Sequence, residues 1–218
     1  MTADERMRSF INSFACPDSP EIAELEKYSH ETNVPIIRKE MQTLIKFLLA
    51  MKKPASVLEV GTAIGFSAVL MAENLPETSR ITTIEKYEKR IPIAKENFKK
   101  FGYSDRITLL EGDATEILSK LEGPFDFIFM DAAKGQYINF MPDVLRLLAH
   151  DGILLSDNVL QEGDILESKF AVERRNRTIY KRMRDYLYEL THNPALKTVI
   201  LPVGDGVTVS VKVRVEGS

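Results

Sequence analysis

The sequence predicts an α/β fold: a seven-stranded, mostly parallel sheet with one antiparallel edge strand and N-terminal helices in front. Three observations predict it. Short apolar runs alternate with helix-length segments from Ser56 onward, these runs lack strict apolar/polar alternation, and the last two are joined by only Val203-Gly-Asp-Gly206. Uniformly apolar strands separated by helices imply βαβ units and a sheet covered on both faces. The four-residue link is of hairpin length and cannot be a parallel crossover, which makes one edge antiparallel. The 218 residues read as a single domain, with 1–54 a helical segment and 55–218 the α/β core.

Taken in order, Pro20 sits in a first helical turn after Ser19, with Ile22, Leu25 and Tyr28 at helical spacing. A break at Asn33-Val34-Pro35 precedes a second amphipathic run, in which Met41, Leu44, Ile45, Leu48 and Leu49 form one apolar stripe that stops at Lys52-Lys53-Pro54. The strands are expected at 57–60, 81–85, 107–111, 125–131, 153–156, 198–202 and 207–213. Between them Ile91, Ala94, Phe98 and Phe101 mark one helix. Ile138, Met141, Leu145 and Leu148 mark another, closed before Gly152, and Ile179, Met183, Tyr186, Leu187 and Leu190 mark a third.

Composition narrows the function classes. Hydrophobic residues at 44% and charged residues at 28% exclude a disordered chain, and no apolar stretch approaches the roughly 20 residues that span a bilayer. A lone cysteine, Cys16, and three scattered histidines argue against disulfides and a structural zinc site. The charge-alternating N-terminus has no apolar core of a secretory leader, so a cytoplasmic protein is expected. The net charge of −3 excludes an overall basic chain but leaves room for a local basic patch.

In an open parallel sheet, ligands bind beyond the carboxyl ends of the strands, so the residues after each strand carry the information. The first run leads into Glu59-Val-Gly61-Thr-Ala-Ile-Gly65-Phe-Ser67, where glycines permit a tight turn and a close backbone approach. This is not the dinucleotide spacing G-x-G-x-x-G, and Glu59 would repel a pyrophosphate while attracting an ammonium group. The second strand ends in Glu85, placed for ribose hydroxyls; the third leads into Gly112-Asp113-Ala114, where the acid can accept from an adenine amino group. Three acids around one glycine turn suit an adenosine ligand with a cationic amino-acid tail, as in S-adenosylmethionine. Each acid alone is also an ordinary turn residue or helix cap. The fourth and fifth strands end in Asp131 and in Asp157-Asn158, hard oxygen donors suited to Mg²⁺, Mn²⁺ or Ca²⁺, with Lys134 within reach of the same space.

Together, Glu59 to Ser67, Gly112-Asp113-Ala114, Asp131-Ala-Ala-Lys134, Asp157-Asn158 and Gly204-Asp-Gly206 resemble the cation-dependent class I O-methyltransferases, which include catechol and caffeoyl-CoA O-methyltransferases. The resemblance implies a Rossmann-like methyltransferase fold, S-adenosylmethionine as methyl donor and a bound divalent cation. It implies that Glu59, Gly61 and Ser67 hold the methionine end, Glu85 the ribose, and Asp113 with Ala114 the adenine. It makes Asp131, Asp157 and Asn158 the metal ligands, with Asp131 also near the cofactor, Lys134 the general base, and Ile37 an apolar lid from the front segment. A homodimer is expected on the same ground.

Val34-Pro-Ile-Ile-Arg38 resembles the bacterial branch that methylates 5-hydroxyuridine at the tRNA wobble position. Six cations fall between Glu173 and Arg184 (Arg174, Arg175, Arg177, Lys181, Arg182 and Arg184), and Arg175-Asn176 matches a substrate-side pair of the family. Such a run is most often a solvated helix face, but here it is also able to grip anticodon phosphates, with Arg38 adding a contact. The sequence-based expectation is therefore a Mg²⁺-dependent tRNA 5-hydroxyuridine O-methyltransferase that does not act at membranes. The alternatives are a small-molecule catechol-type or caffeoyl-CoA-like O-methyltransferase on the same site, and a non-catalytic adenosine- or RNA-binding module.

Overall fold

The computed structural model describes residues 3–168 and 172–215. Three helices precede the first strand: α1 (Ala3–Asn12), α2 (Pro20–Glu31) and α3 (Lys39–Lys52). The Ser19 hydroxyl caps α2 by accepting from Ile22 N, and α3 ends where Lys53 turns into the left-handed region. The α/β part then runs β1 (Ser56–Val60), α4 (Phe66–Glu73), β2 (Arg80–Glu85), α5 (Ile91–Lys100), β3 (Ile107–Glu111), α6 (Ala114–Lys120), β4 (Phe125–Met130), α7 (Tyr137–Leu147), β5 (Leu148–Ser156), α8 (Arg177–His192), β6 (Leu196–Leu201) and β7 (Val207–Lys212). Single 3-10 turns at Lys134–Gln136 and Arg174–Asn176 precede α7 and α8, and Gln161–Leu166 forms another after β5.

The sheet order is β3-β2-β1-β4-β5-β7-β6. All neighbours from β3 to β5 are parallel, while β7 is antiparallel to both β5 and β6. The antiparallel strand therefore lies one place in from the edge, and β6 at the edge runs in the direction of the parallel strands. The Val203–Gly206 hairpin consequently sits at the carboxyl end of the sheet, with the other strand-end loops.

Period-two alternation divides the core into two layers. Val57, Ile81, Phe127, Phe129 and Leu155 pack under α2, α3, α4 and α5. Leu58, Val60, Ile84, Ile128 and Leu154 pack against α6, α7 and α8. Two stripes differ from expectation. In α7 the buried residues are Tyr137, Phe140, Met141, Val144 and Leu147, because the helix ends at Leu147 and Leu148 already pairs with Phe125 as the first residue of β5. In α8 Tyr180 is buried where Ile179 was expected, and Ile179 is exposed. Among the described residues no helix is long and apolar enough to cross a membrane.

Candidate active site

The site grows from the turn after β1. Gly61 has φ +109°, and a Cβ there would stand 2.1 Å from the Asp131 carbonyl oxygen. Only glycine lets the ends of β1 and β4 come this close. Gly61 N and Thr62 N both donate to Ile84 O, and Ala63 N donates to Glu85 Oε2 at 2.7 Å. Glu85 Oε1 accepts from Lys86 N and Tyr87 N at 2.9 and 2.8 Å, so this carboxylate is aimed by three backbone donors. A cleft opens above the strand ends in two lobes of about 350 and 280 Å³ that share Gly61, Glu85, Arg90 and Asp131.

The first lobe is walled by Pro35, Ile36, Ile37, Arg38 and Met41 on the front side and floored by Asp131, Asp157, Asn158 and Asp205. Asp131 N donates to Val60 O and Asp157 N to Met130 O, each one residue beyond its strand, which fixes the two acids side by side. Tyr137 Oη lies 3.1 Å from Met130 O and 3.2 Å from Asp157 O and ties these ends together from below. Asn158, held in the left-handed region at φ 59°, brings its Nδ2 to 3.4 Å from Asp131 Oδ1. Burial raises the Asp131 carboxyl to about 6, against the lowering influence of Asn158 and Lys134. Burial, then repulsion from Asp131, raises Asp157 to about 7, with Asp205 adding to the rise and Arg38 opposing it.

Two buried carboxyls that resist ionisation at close range, beside an amide oxygen source, are short of positive charge. Their donor chemistry fits a hard divalent cation. Among the described residues no group of three or more His, Cys, Asp or Glu side chains forms a metal cage on its own. The candidate set is thus two carboxylates and one amide, with room in the lobe for a further oxygen ligand. Lys134, in the 3-10 turn after β4, reaches the same region and pairs with Asp205 at 3.4 Å.

The second lobe is lined by Gly112, Asp113, Ala114 and Thr115 on one side and Ala132, Ala133, Gln136 and Phe140 on the other. Asp113 serves as the N-cap of α6, accepting from Thr115 N at 2.9 Å, and pairs with Lys86 at 3.3 Å. Hydrogen bonds from Thr115 hold its carboxyl below the usual range. The cap geometry leaves Asp113 on the lobe wall.

Glu59 and Ser67 lie behind this wall and line neither lobe. Glu59 points into the front layer beside its register partner Thr83, whose hydroxyl donates to Glu59 Oε2 at 2.5 Å. Burial raises its carboxyl to about 7, against the hydroxyls of Ser67 and Thr83. Glu59 Oε1 is buried without a hydrogen-bond partner among the described residues. A buried acceptor left open next to a glycine turn fits a cationic group arriving from the cleft.

Arg174, Arg175 and Asn176 do not line the cleft. They form the 3-10 turn before α8, where Arg175 pairs with Glu173 at 2.7 Å. Within α8, Arg177 Nε donates to Val172 O, Arg182 Nη1 to Gly135 O, and Arg184 Nη1 to Ile165 O and the Tyr180 hydroxyl. Much of the cationic run therefore holds neighbouring backbone.

An O-methyltransferase family model matches residues 13–213. The chain belongs to the O-methyltransferase family. Caffeoyl-CoA O-methyltransferase 1 of Eucalyptus globulus is 29% identical over 224 residues, which covers 95% of this chain and 88% of the plant protein. A catechol O-methyltransferase of Niastella koreensis is 32% identical over 127 residues, covering 56% of this chain and 58% of its own. The SAH-bound structure of a Podospora anserina methyltransferase superposes with a TM-score of 0.86 at 28% identity, covering 97% of this chain and 95% of that one. The seven-stranded sheet is accordingly the Rossmann-like methyltransferase fold, and the family makes the chain an S-adenosylmethionine-dependent enzyme.

Three residues on or beneath the cleft are not among the sequence-based site candidates. The sequence marks Asp205 only through the Gly204-Asp-Gly206 motif of the family resemblance, and its place on the cleft floor follows from β7 inserting so that β6 runs parallel to β5. Arg90 lines both lobes from the residue before α5. Tyr137 was hidden by the misplaced α7 stripe, which began one residue later.

Proposed function

We propose that this chain catalyses cation-assisted methylation of a hydroxyl that neighbours a second oxygen, on a small catechol-type or caffeoyl-CoA-like acceptor. One observation carries the reading: Asp131, Asp157 and Asn158 meet on the floor of a single lobe that abuts the glycine turn. The adenosine lobe would take S-adenosylmethionine, which supplies an electrophilic methyl on a sulfonium. Asp131, Asp157 and Asn158 would hold a divalent cation, which supplies Lewis acidity and a template for two adjacent acceptor oxygens.

The chain's own residues do the rest. Ile36, Ile37 and Met41 close the lobe with apolar surface, excluding water. Glu85, pinned by three backbone donors, orients the ribose. Glu59, buried behind the glycine turn, would add negative potential on the side of the cleft that takes the cofactor's ammonium. Lys134, in its neutral amine form, would receive the acceptor's proton as the oxygen–methyl bond forms and the sulfur–methyl bond breaks. Fixing the reacting atoms in line lowers the barrier by removing the entropy cost of bringing them together.

The test is formation of S-adenosylhomocysteine by the purified protein with Mg²⁺ and a catechol or caffeoyl-CoA acceptor. Turnover is expected, with loss on adding EDTA and a drop of at least about a hundredfold in Asp157→Ala. Turnover that survives both would end the cation-assisted reading.

A second reading, the 5-hydroxyuridine of the tRNA wobble position, draws on Arg38 in the lobe wall and on a groove beside the 3-10 turn that carries Arg177, Lys181 and Arg182. The O5 hydroxyl and O4 carbonyl of that base are also adjacent oxygens. On this reading tRNA affinity should fall steeply with ionic strength, and tRNA from cells lacking the gene should accumulate unmethylated 5-hydroxyuridine. Unchanged tRNA modification would leave the small-molecule acceptor alone in place.

A further inference from the structure

Asp205 projects from the hairpin between β6 and β7, far in sequence from every other site residue. Its side chain is nearly buried, the residue being 8% exposed, and it forms part of the floor of the first lobe. Its Oδ2 lies 3.4 Å from Lys134 Nζ.

The hairpin that carries it is locked onto the loop bearing Asp157 and Asn158. Val159 N donates to Gly206 O and Leu160 N to Asp205 O, each at 3.0 Å. Gly206 has φ +81°, and a Cβ there would stand 2.1 Å from Leu160 Cγ, so the two loops pack backbone against side chain with no slack. On the other side Arg8 Nη2 donates to Gly204 O at 3.2 Å. An acid held this firmly is a fixed anchor, whereas Lys134 is the flexible partner, on a short 3-10 turn with its side chain about one-third exposed.

We propose that Asp205 is a positioning residue that acts through Lys134, tethering its side-chain nitrogen beside the floor of the first lobe, so that the neutral amine, once it has lost its own proton, is held there to take the acceptor's proton. A long lysine stem samples many rotamers in solvent, and a buried carboxylate at its tip selects the few that face the lobe. The inference rests on the methyl-transfer reading for what Lys134 does, but not for where Lys134 is held.

Two measurements test it. In native protein, reductive dimethylation followed by peptide mass spectrometry reads the reactivity of each lysine. Asp205→Asn, which keeps the shape and removes the charge, is expected to raise labelling of Lys134 about threefold or more, with exposed Lys27 unchanged and Asp205→Glu closer to wild type. Equal labelling of Lys134 in all three proteins overturns the proposal. With 3,4-dihydroxybenzoate as acceptor, Asp205→Asn is expected to lower kcat about tenfold while KM for S-adenosylmethionine stays within about twofold. In a Lys134→Met background the same substitution adds less than about twofold. A full further loss in that background shows a merely structural residue and overturns the proposal. A labelling response without turnover on any acceptor removes the proposed function and leaves the tether standing.

Discussion

Glu59 is an acid packed under the front helices with one oxygen satisfied by Thr83, so its ionisation is coupled to folding. Its carboxyl rises from an ordinary 4.5 to about 7 in the native state, so the unfolded chain releases this proton first as pH increases. Below 4.5 both states are protonated and Glu59 costs nothing electrostatically; between 4.5 and 7 stability falls, and above 7 the penalty levels off at about 3 kcal/mol. Glu59→Gln is therefore expected to leave the ligand-free protein more stable than wild type at pH 8 and equal to it near pH 4.5, measured by urea unfolding at each pH. The same variant should bind S-adenosylhomocysteine more weakly at pH 8 by calorimetry, because the negative charge behind the glycine turn is gone. Gly61→Ala makes the converse case. Its Cβ would occupy the Asp131 carbonyl, at a φ that L side chains avoid, so a loss above about 2 kcal/mol is expected together with loss of cofactor binding.

At the scale of elements, the strand-end loops divide by how much of their role is local. Asp131 and Asp157-Asn158 were legible because each follows an apolar run directly, and period-two packing leaves few places for the next residue to go. Glu85 closes its own strand and Asp113 follows the glycine turn after β3, so both were legible from their place at strand ends. The hairpin acid Asp205 was not, because its place depends on β7 inserting between β5 and β6, a long-range pairing that no local pattern records. The cationic run at 174–184 shows the opposite limit: its charge is plain in the sequence, but that Arg177, Arg182 and Arg184 spend hydrogen bonds on carbonyls of other segments is a tertiary fact. The helix boundary at Leu147 misled because Leu148 is apolar either way, and only its pairing with Phe125 makes it strand. A prediction follows for α6. Asp113→Ala removes the cap bond to Thr115 N and should cost about 1 kcal/mol in chemical denaturation, in addition to weakening the adenine side of the cleft.

For the whole molecule, the raised carboxyls of Asp131 and Asp157 mean that protons and any cation at this floor would compete for the same oxygens. If these acids hold a divalent cation, binding stabilises the fold by mass action, by about 2.7 kcal/mol at a hundredfold excess over Kd. Protons compete as pH falls through about 7 and 6, so the Mg²⁺-induced rise in Tm should be larger at pH 8 than at pH 6. Asp157→Asn should abolish the rise at both. A Tm that ignores Mg²⁺ at pH 8 would speak against a cation at this floor.

The strand order carries a last implication, for biosynthesis. β6 pairs with no strand but β7, and β7 is made after it. While a ribosome has released β6 but not yet the residues of β7, that segment has no neighbour to bond with, and the flank of β5 stands open to any extended peptide in the cell. The nascent chain thus passes through an interval in which five strands are complete but the acceptor side is unfinished, and it leaves that interval only when the later strand slides in between its two elders.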